Sequence, residues 1–249
     1  MSFLPFVAVD VETANLNNAN ICQFGFAYFH KGVFTGKGCV LVNPKSSFNP
    51  KFSALHGITH ASISNCPTWF DVCVEIGEVF DNPILLSHTY FDREAITKAC
   101  IRYELPIPNP KIWLDTCAIA RRVWPEMRNH KLPTLAECFG IHYVAHDAGE
   151  DARCAGEIFL RAIADTGRTM VEFLEEHMSR ESGSPVHISL EGSYDPEQAP
   201  LLPPGLKNLS PIPVLKVEED AEDHTFAWIV FFVILIVGII LGIAFNIQN

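Results

Sequence analysis

Phe6-Val7-Ala8-Val9-Asp10-Val11-Glu12 is the stretch on which the fold reading turns. Its valines recur at every second position in an apolar run, which predicts a β-strand. Alternation sends Val7, Val9 and Val11 to one face and puts Asp10 and Glu12 together on the other. Two carboxylates side by side on such a strand are costly to bury unless a cation neutralises them. A strand end open to water would simply solvate them, and this segment alone fits both readings.

Working outward, apolar runs at residues 21–29 and 33–42 flank His30-Lys31-Gly32, as in an antiparallel hairpin. Then the texture changes. Helical periodicity appears at residues 69–80, 91–103, 116–123, 134–139 and 147–164, with short apolar runs at 84–86 and 112–114 as further strands. Three meandering strands followed by alternating helices and strands predict an α/β fold with a mixed sheet. One more amphipathic helix at 169–178 closes a domain expected over residues 1–178.

The remainder of the 249 residues reads differently. Residues 1–178 hold 15 basic and 20 acidic side chains, residues 179–249 only 3 and 9, so over half of the net charge of −11 sits in the tail. Residues 179–224 carry seven prolines and an acidic run from Glu218 to Asp223, the composition of a disordered tether. Residues 226–245 contain no charge and no proline, and a helix of that length covers ~30 Å, the hydrocarbon thickness of a bilayer. Residues 225–249 are therefore expected to be a C-terminal transmembrane anchor in a lipid bilayer. Lys207 and Lys216 upstream, against an uncharged end, orient it with the N-terminal domain in the cytoplasm. Gly238 and Gly242 have the spacing of a weak helix-dimerisation face.

A pI near 5.3 excludes a broad basic surface for scanning duplexes, though not a carboxylate site whose cations reverse the local charge. Eight cysteines without a Cys-x-x-Cys pair argue against a zinc ribbon and read as reduced thiols. The start, Met1-Ser2-Phe3-Leu4-Pro5, lacks the pattern of a secretory signal.

Two further segments carry chemistry. In Leu85-Leu86-Ser87-His88-Thr89-Tyr90-Phe91-Asp92 an apolar strand ends and Asp92 falls in the first turn of a helix, where the dipole alone favours an acid. In His146-Asp147-Ala148-Gly149-Glu150-Asp151, Asp147 and Glu150 form an Asp-x-x-Glu capping box, giving Glu150 a structural role. His146 then lies just outside the helix and Asp151 in its opening turns, a suitable place for a general base beside a metal-binding acid. Arg121, Arg122, Arg128 and Lys131 form the densest basic cluster, either a guide for a phosphate backbone or a solvated face.

Taken together, these segments resemble the DEDDh exonucleases, the family of the proofreading epsilon subunit of bacterial replicative DNA polymerase. Residues 9–13, 87–92 and 146–151 are similar to its three motifs in order, and the likeness covers about residues 3–165. One departure is His88, where the family usually has asparagine four residues before the motif aspartate. The resemblance implies a ribonuclease H-like fold and two divalent cations, Mg2+ or Mn2+, held by Asp10, Glu12, Asp92 and Asp151. It implies that His146 takes the proton from the attacking water, and that Thr13, His56 and Phe91 lie near the terminal nucleotide. Phe91 fits a core position equally well. The function so implied is a membrane-tethered 3′–5′ exonuclease releasing nucleoside 5′-monophosphates from single-stranded DNA. The rivals are the same chemistry on RNA and a catalytically idle binding module.

Overall fold

Strand β1 (Phe6–Thr13) lies at the centre of a five-stranded sheet with β2 (Ile21–His30), β3 (Val33–Leu41), β4 (Ile84–Ser87) and β5 (Ile112–Asp115), in the order β3-β2-β1-β4-β5. The structure, a computed structural model, describes residues 3–188. The first three strands are antiparallel, and β4 and β5 run parallel to β1, giving the mixed sheet. Lys31 and Gly32 both take positive φ (51° and 77°), which makes the β2–β3 connection a two-residue hairpin turn whose twist matches the strands.

Both faces of the sheet are covered. Val7, Val9 and Val11 pack with Trp69, Val72, Ile76 and Ile96 from α3 (Trp69–Glu75), α5 (Tyr90–Arg102) and the α3–α4 junction; α4 is Gly77–Phe80. Phe6 and Ala8 face the other way, into a layer built by α6 (Thr116–Val123), α7 (Leu132–Phe139), α8 (Ala148–Thr166) and α9 (Met170–Ser182). Each aliphatic side chain buried this way is worth roughly 1.5–3 kcal/mol, so the strand is fixed in register by its apolar residues. The acids must go where that register sends them.

Helix α8 sets the geometry that matters. It crosses β1 and β2 on the second face, with its N-terminus over Gly25, the residue paired with Asp10. A Cβ on Gly25 would stand 2.0 Å from the Ala148 carbonyl carbon, so only glycine admits the helix here. Gln23, opposite Glu12, accepts the Ala148 N–H through Oε1 at 3.2 Å. Thus β2 holds the start of α8 against the two acids of β1.

Several expectations need correction. The helix read over residues 69–80 is two helices, because Ile76 (φ −93°, ψ 12°) leaves the helical region before Gly77. Two short helices, α1 (Pro50–His56) and α2 (His60–Ile63), went unread. They bury only Ile63 and so show no apolar period, although Asn49, Pro50 and the Thr59–Ser62 box are ordinary start signals. Helix α7 starts two residues early at Leu132, with Pro133 in its first turn. The capping box of α8 is half formed: Asp147 Oδ1 accepts the Glu150 N–H at 2.9 Å, but the Glu150 carboxylate pairs with Lys37 and Arg153 instead. Helix α9 runs past residue 178 to Ser182, and Ile188 returns to Glu175 through a 2.8 Å hydrogen bond. No helix of the described residues is long and apolar enough to cross a membrane. The linker beyond residue 188, the apolar run 226–245, Gly238 and Gly242 lie outside the described residues.

Candidate active site

At the C-terminal end of β1 a cavity of about 210 Å³ opens between β1, the β4–α5 loop and the start of α8. Asp10, Glu12, Asp92, His146 and Asp151 all line it, although up to 141 residues separate them in the chain. The ends of parallel strands are where an α/β sheet leaves room for ligands, since its loops diverge there.

Each acid arrives by a separate route. Asp10 and Glu12 follow from the strand register. Thr89 caps α5 and places Asp92 in its first turn, where Oδ1 accepts the Val11 N–H at 3.1 Å. That bond ties the second segment directly to β1. Asp151 sits one turn into α8, and its Oδ2 accepts the His146 N–H at 2.9 Å. His146 itself has φ +66°, an unusual conformation for a non-glycine residue, and it turns the chain sharply into the Asp147 cap. The turn brings His146 Nδ1 to 3.4 Å from Glu12 Oε1. Ligand atoms of Glu12, His146 and Asp151 lie within 4.8 Å of one another.

This cluster is electrostatically unfavourable as it stands. Burial, then repulsion from Asp92 and Asp151, pushes the Asp10 carboxyl well above its ordinary range. Burial and the neighbouring Asp151 push Glu12 up to about 8. Asp92 and Asp151 rise to about 7, again chiefly through burial, against opposing hydrogen bonds from the Val11 and His146 N–H groups. No lysine or arginine pairs with these four among the described residues. Glu150, one residue from Asp151, has two cationic partners and points away. An all-oxygen acidic donor set of this kind suits hard divalent cations such as Mg2+ or Mn2+. The residues present therefore fit the metal that the resemblance implies.

The remaining candidates are placed less uniformly. Phe91 lines the cavity and is 39% exposed, so it is not a core residue. Thr13 and His56 meet each other rather than the cavity: His56 Nε2 donates to the Thr13 carbonyl at 3.3 Å, and its Nδ1 accepts the Ile58 N–H at 3.0 Å. Leu132, Pro133 and Tyr143 also stand in the cavity wall, and none of them was expected as a site residue, although the segment starting at Leu132 resembles a recurrent part of the family. The Tyr143 hydroxyl is buried and has no hydrogen-bond partner among the described residues. Their place in the wall is not local information, because Leu132 and Pro133 reach it only once α7 packs beside α8. Gln23 and Gly25 were missed too, yet a glycine inside an apolar strand is a known sign of close backbone approach.

Fold and site together define a metal-dependent hydrolytic nuclease on a ribonuclease H-like sheet. The exonuclease family profile matches residues 7–159, more than half of the chain, and the chain belongs to that family, with the DEDDh 3′–5′ exonucleases. It is 28% identical over 162 residues to a PolC-type DNA polymerase III of Caldanaerobacter subterraneus, covering 64% of this chain and 11% of that protein. It is 26% identical over 163 residues to the 3′–5′ exonuclease DinG of Bacillus subtilis, covering 64% and 17%. The chain thus spans less than a fifth of the length of either relative. Among solved structures, Exonuclease X in complex with 5′ overhanging duplex DNA has the same fold at 22% identity and a TM-score of 0.56, covering 66% of this chain and 94% of that one. Escherichia coli Exonuclease I bound to single-stranded DNA does so at 18% identity and a TM-score of 0.61, covering 72% and 44%.

Proposed function

We propose that residues 1–178 remove nucleotides from the 3′ end of single-stranded DNA, releasing nucleoside 5′-monophosphates, and that residues 225–249 hold the domain on the cytoplasmic side of a membrane through a tether at 179–224. The observation that carries the catalytic part is the meeting of Asp10, Glu12, Asp92 and Asp151 around one cavity, with no lysine or arginine paired to them among the described residues. Family membership and the two DNA-bound neighbours support nucleic acid as the substrate class.

In this reading the four carboxylates hold two divalent cations, Mg2+ or Mn2+. When bound, such cations stabilise charge developing on the attacking and leaving oxygens of an in-line displacement. His146 is the general base. Glu12 Oε1 lies beside Nδ1, which orients the ring and leaves Nε2 to take the proton from the attacking water. Exposure of 39% for its side chain lets the imidazole pass that proton to solvent. Phe91 offers a ring face on which the terminal base stacks, an interaction indifferent to sequence. Thr13 and His56, expected near the terminal nucleotide, are joined by a 3.3 Å hydrogen bond at the end of β1 and act by bracing that strand end.

The test is degradation of 5′-labelled DNA and RNA oligomers of one sequence by the full chain, with Mg2+ or Mn2+ and after chelation. Shortening of DNA from the 3′ end, lost in Asp10→Ala and His146→Ala, is the expected result. Preferential loss of the RNA would transfer the proposal to an exoribonuclease, and activity surviving both substitutions would end it. Deleting residues 225–249 is expected to abolish sedimentation with membranes and to leave turnover of free oligonucleotides within about twofold.

A further inference from the structure

His88 is the residue at which the second motif departs from its family, and the structure gives it a specific set of partners. Its ring is buried in the cavity wall, with Nδ1 3.0 Å from Thr116 Oγ1 and Nε2 3.0 Å from the His130 carbonyl oxygen. Its own carbonyl accepts the Cys117 N–H at 2.8 Å. A carbonyl can only accept, so Nε2 carries the proton. Burial keeps the ring neutral by lowering its pKa to about 4. Nδ1 is then bare, and the Thr116 hydroxyl donates to it.

One ring thereby joins the end of β4, the first residue of α6 and the connection between α6 and α7. That connection, residues 124–131, is tied down at the same point from its own side. His130 Nε2 donates to the Trp124 carbonyl at 2.8 Å, and Cys117 Sγ donates to the His130 carbonyl at 3.4 Å. Directly after it come Leu132 and Pro133, which line the cavity with Asp92 and His146, and within it lie the exposed Lys131 and the exposed Arg128, the latter 3.8 Å from Glu137.

We propose that His88 is a positioning residue for the substrate strand: a clasp that holds residues 124–131 so that Leu132 and Pro133, which follow directly, keep one wall of the cleft in place. It touches none of the four carboxylates through its ring, so its effect falls on substrate affinity and not on the chemical step. The kinetic part of this inference rests on the exonuclease reading above.

Two substitutions separate the two ring nitrogens. An asparagine amide at position 88 ends about where Nδ1 lies and cannot reach the His130 carbonyl, whereas a glutamine amide extends to the place of Nε2. The experiment compares the native full chain, His88→Asn and His88→Gln by KM and kcat on a single-stranded oligonucleotide, and by amide hydrogen exchange over residues 124–131. For His88→Asn, KM rises about five- to twentyfold, kcat stays within about twofold, and exchange in residues 124–131 accelerates. For His88→Gln, both readouts return to within about threefold of native. Unchanged KM and exchange in His88→Asn overturn the clasp, and so does a His88→Gln variant no better than His88→Asn. A fall in kcat at constant KM also overturns it, since it would place His88 in support of Asp92. If the native chain degrades no oligonucleotide, the exonuclease reading fails, and the exchange comparison still decides whether the clasp exists.

Discussion

Val7, Val9 and Val11 leave one face of β1 into a dry layer with α3 and α5, whereas Asp10 and Glu12 leave the other toward the start of α8. Consecutive side chains of one strand thus meet opposite environments. The valine side lowers the free energy of the fold with each methyl group buried. The acid side raises it, because desolvation and mutual repulsion disfavour every ionised carboxylate gathered there. Such a cost persists in a fold when something absent from the polypeptide offsets it, and a divalent cation is the simplest candidate. Stability and function are therefore separable along this strand by single substitutions.

The sharpest break is Asp10→Asn. Turnover of an oligonucleotide is expected to fall by about a thousandfold or more, the scale on which removing one well-placed electrostatic group acts in an enzyme site. The same substitution, assayed without metal by thermal melting, is expected to raise the midpoint, since it removes one of the repelling charges. A variant that lost both activity and metal-free stability would show Asp10 to be part of the scaffold.

Next in size is the response to pH. The four carboxyls titrate near 4 in an unfolded chain, but Asp92 and Asp151 are raised to about 7 and Glu12 to about 8 in the fold. Below about pH 4 both states hold these protons and no difference arises. As pH rises the unfolded chain releases them first, so it binds fewer protons than the fold and stability declines. For Asp92, Asp151 and Glu12 the decline runs through their folded-state values of about 7 and about 8, so the melting temperature of the metal-free protein is expected to fall between pH 5 and pH 8. Saturating Mg2+ or Mn2+ is expected to flatten the curve of melting temperature against pH. A metal-free protein equally stable at pH 5 and pH 8 would contradict the clustering of these acids.

Val9→Ala probes the other face. Removing two methyl groups from a position with no exposed surface is expected to cost about 2 kcal/mol in denaturant unfolding. Turnover per folded molecule is expected to stay within about twofold, the converse of Asp10→Asn. A large loss of turnover in a folded Val9→Ala protein would mean that the valine layer positions the acids, and the two faces would no longer be independent.

Why the strand could be read at all follows from the same contrast. Valine alternation and the Asp10–Glu12 pair are local, and they identify β1, its register and half of the site from seven consecutive residues. The hairpin at Lys31-Gly32 and the cap at Asp147 are local as well. What escaped reading depends on parts distant in the chain. Gly25 matters because Ala148 arrives above it, and Leu132 and Pro133 become a wall only when α7 lies next to α8. Helices α1 and α2 escaped for a different reason: with one buried residue between them, there is no apolar period to detect. The site acids were legible as residue types in order, while their convergence rests on packing that no short window contains.

The smallest expected effect tests the contrast between acids themselves. Glu150 and Asp151 are adjacent, both lie in the first turn of α8, and both are carboxylates with limited exposure. Glu150 faces Lys37 and Arg153, with the Arg153 contact at 2.8 Å, while Asp151 faces Asp10 and Glu12 across the cavity. Glu150→Gln removes a negative charge from a neutralised group. Its cap survives, because the backbone N–H and not the side chain donates to Asp147. Arg153 also keeps Glu157 at 2.5 Å as a partner. The stability cost is then about 1 kcal/mol or less, with turnover and Mn2+ affinity within about twofold of native. Asp151→Asn, one residue on, is expected to reduce turnover at least a hundredfold and to weaken Mn2+ binding measurably. Equal losses from the two substitutions would mean that removing charge from the start of α8 matters in itself, through the helix dipole. In that event the lack of a lysine or arginine beside Asp151 among the described residues would no longer distinguish a metal-holding acid from a structural one.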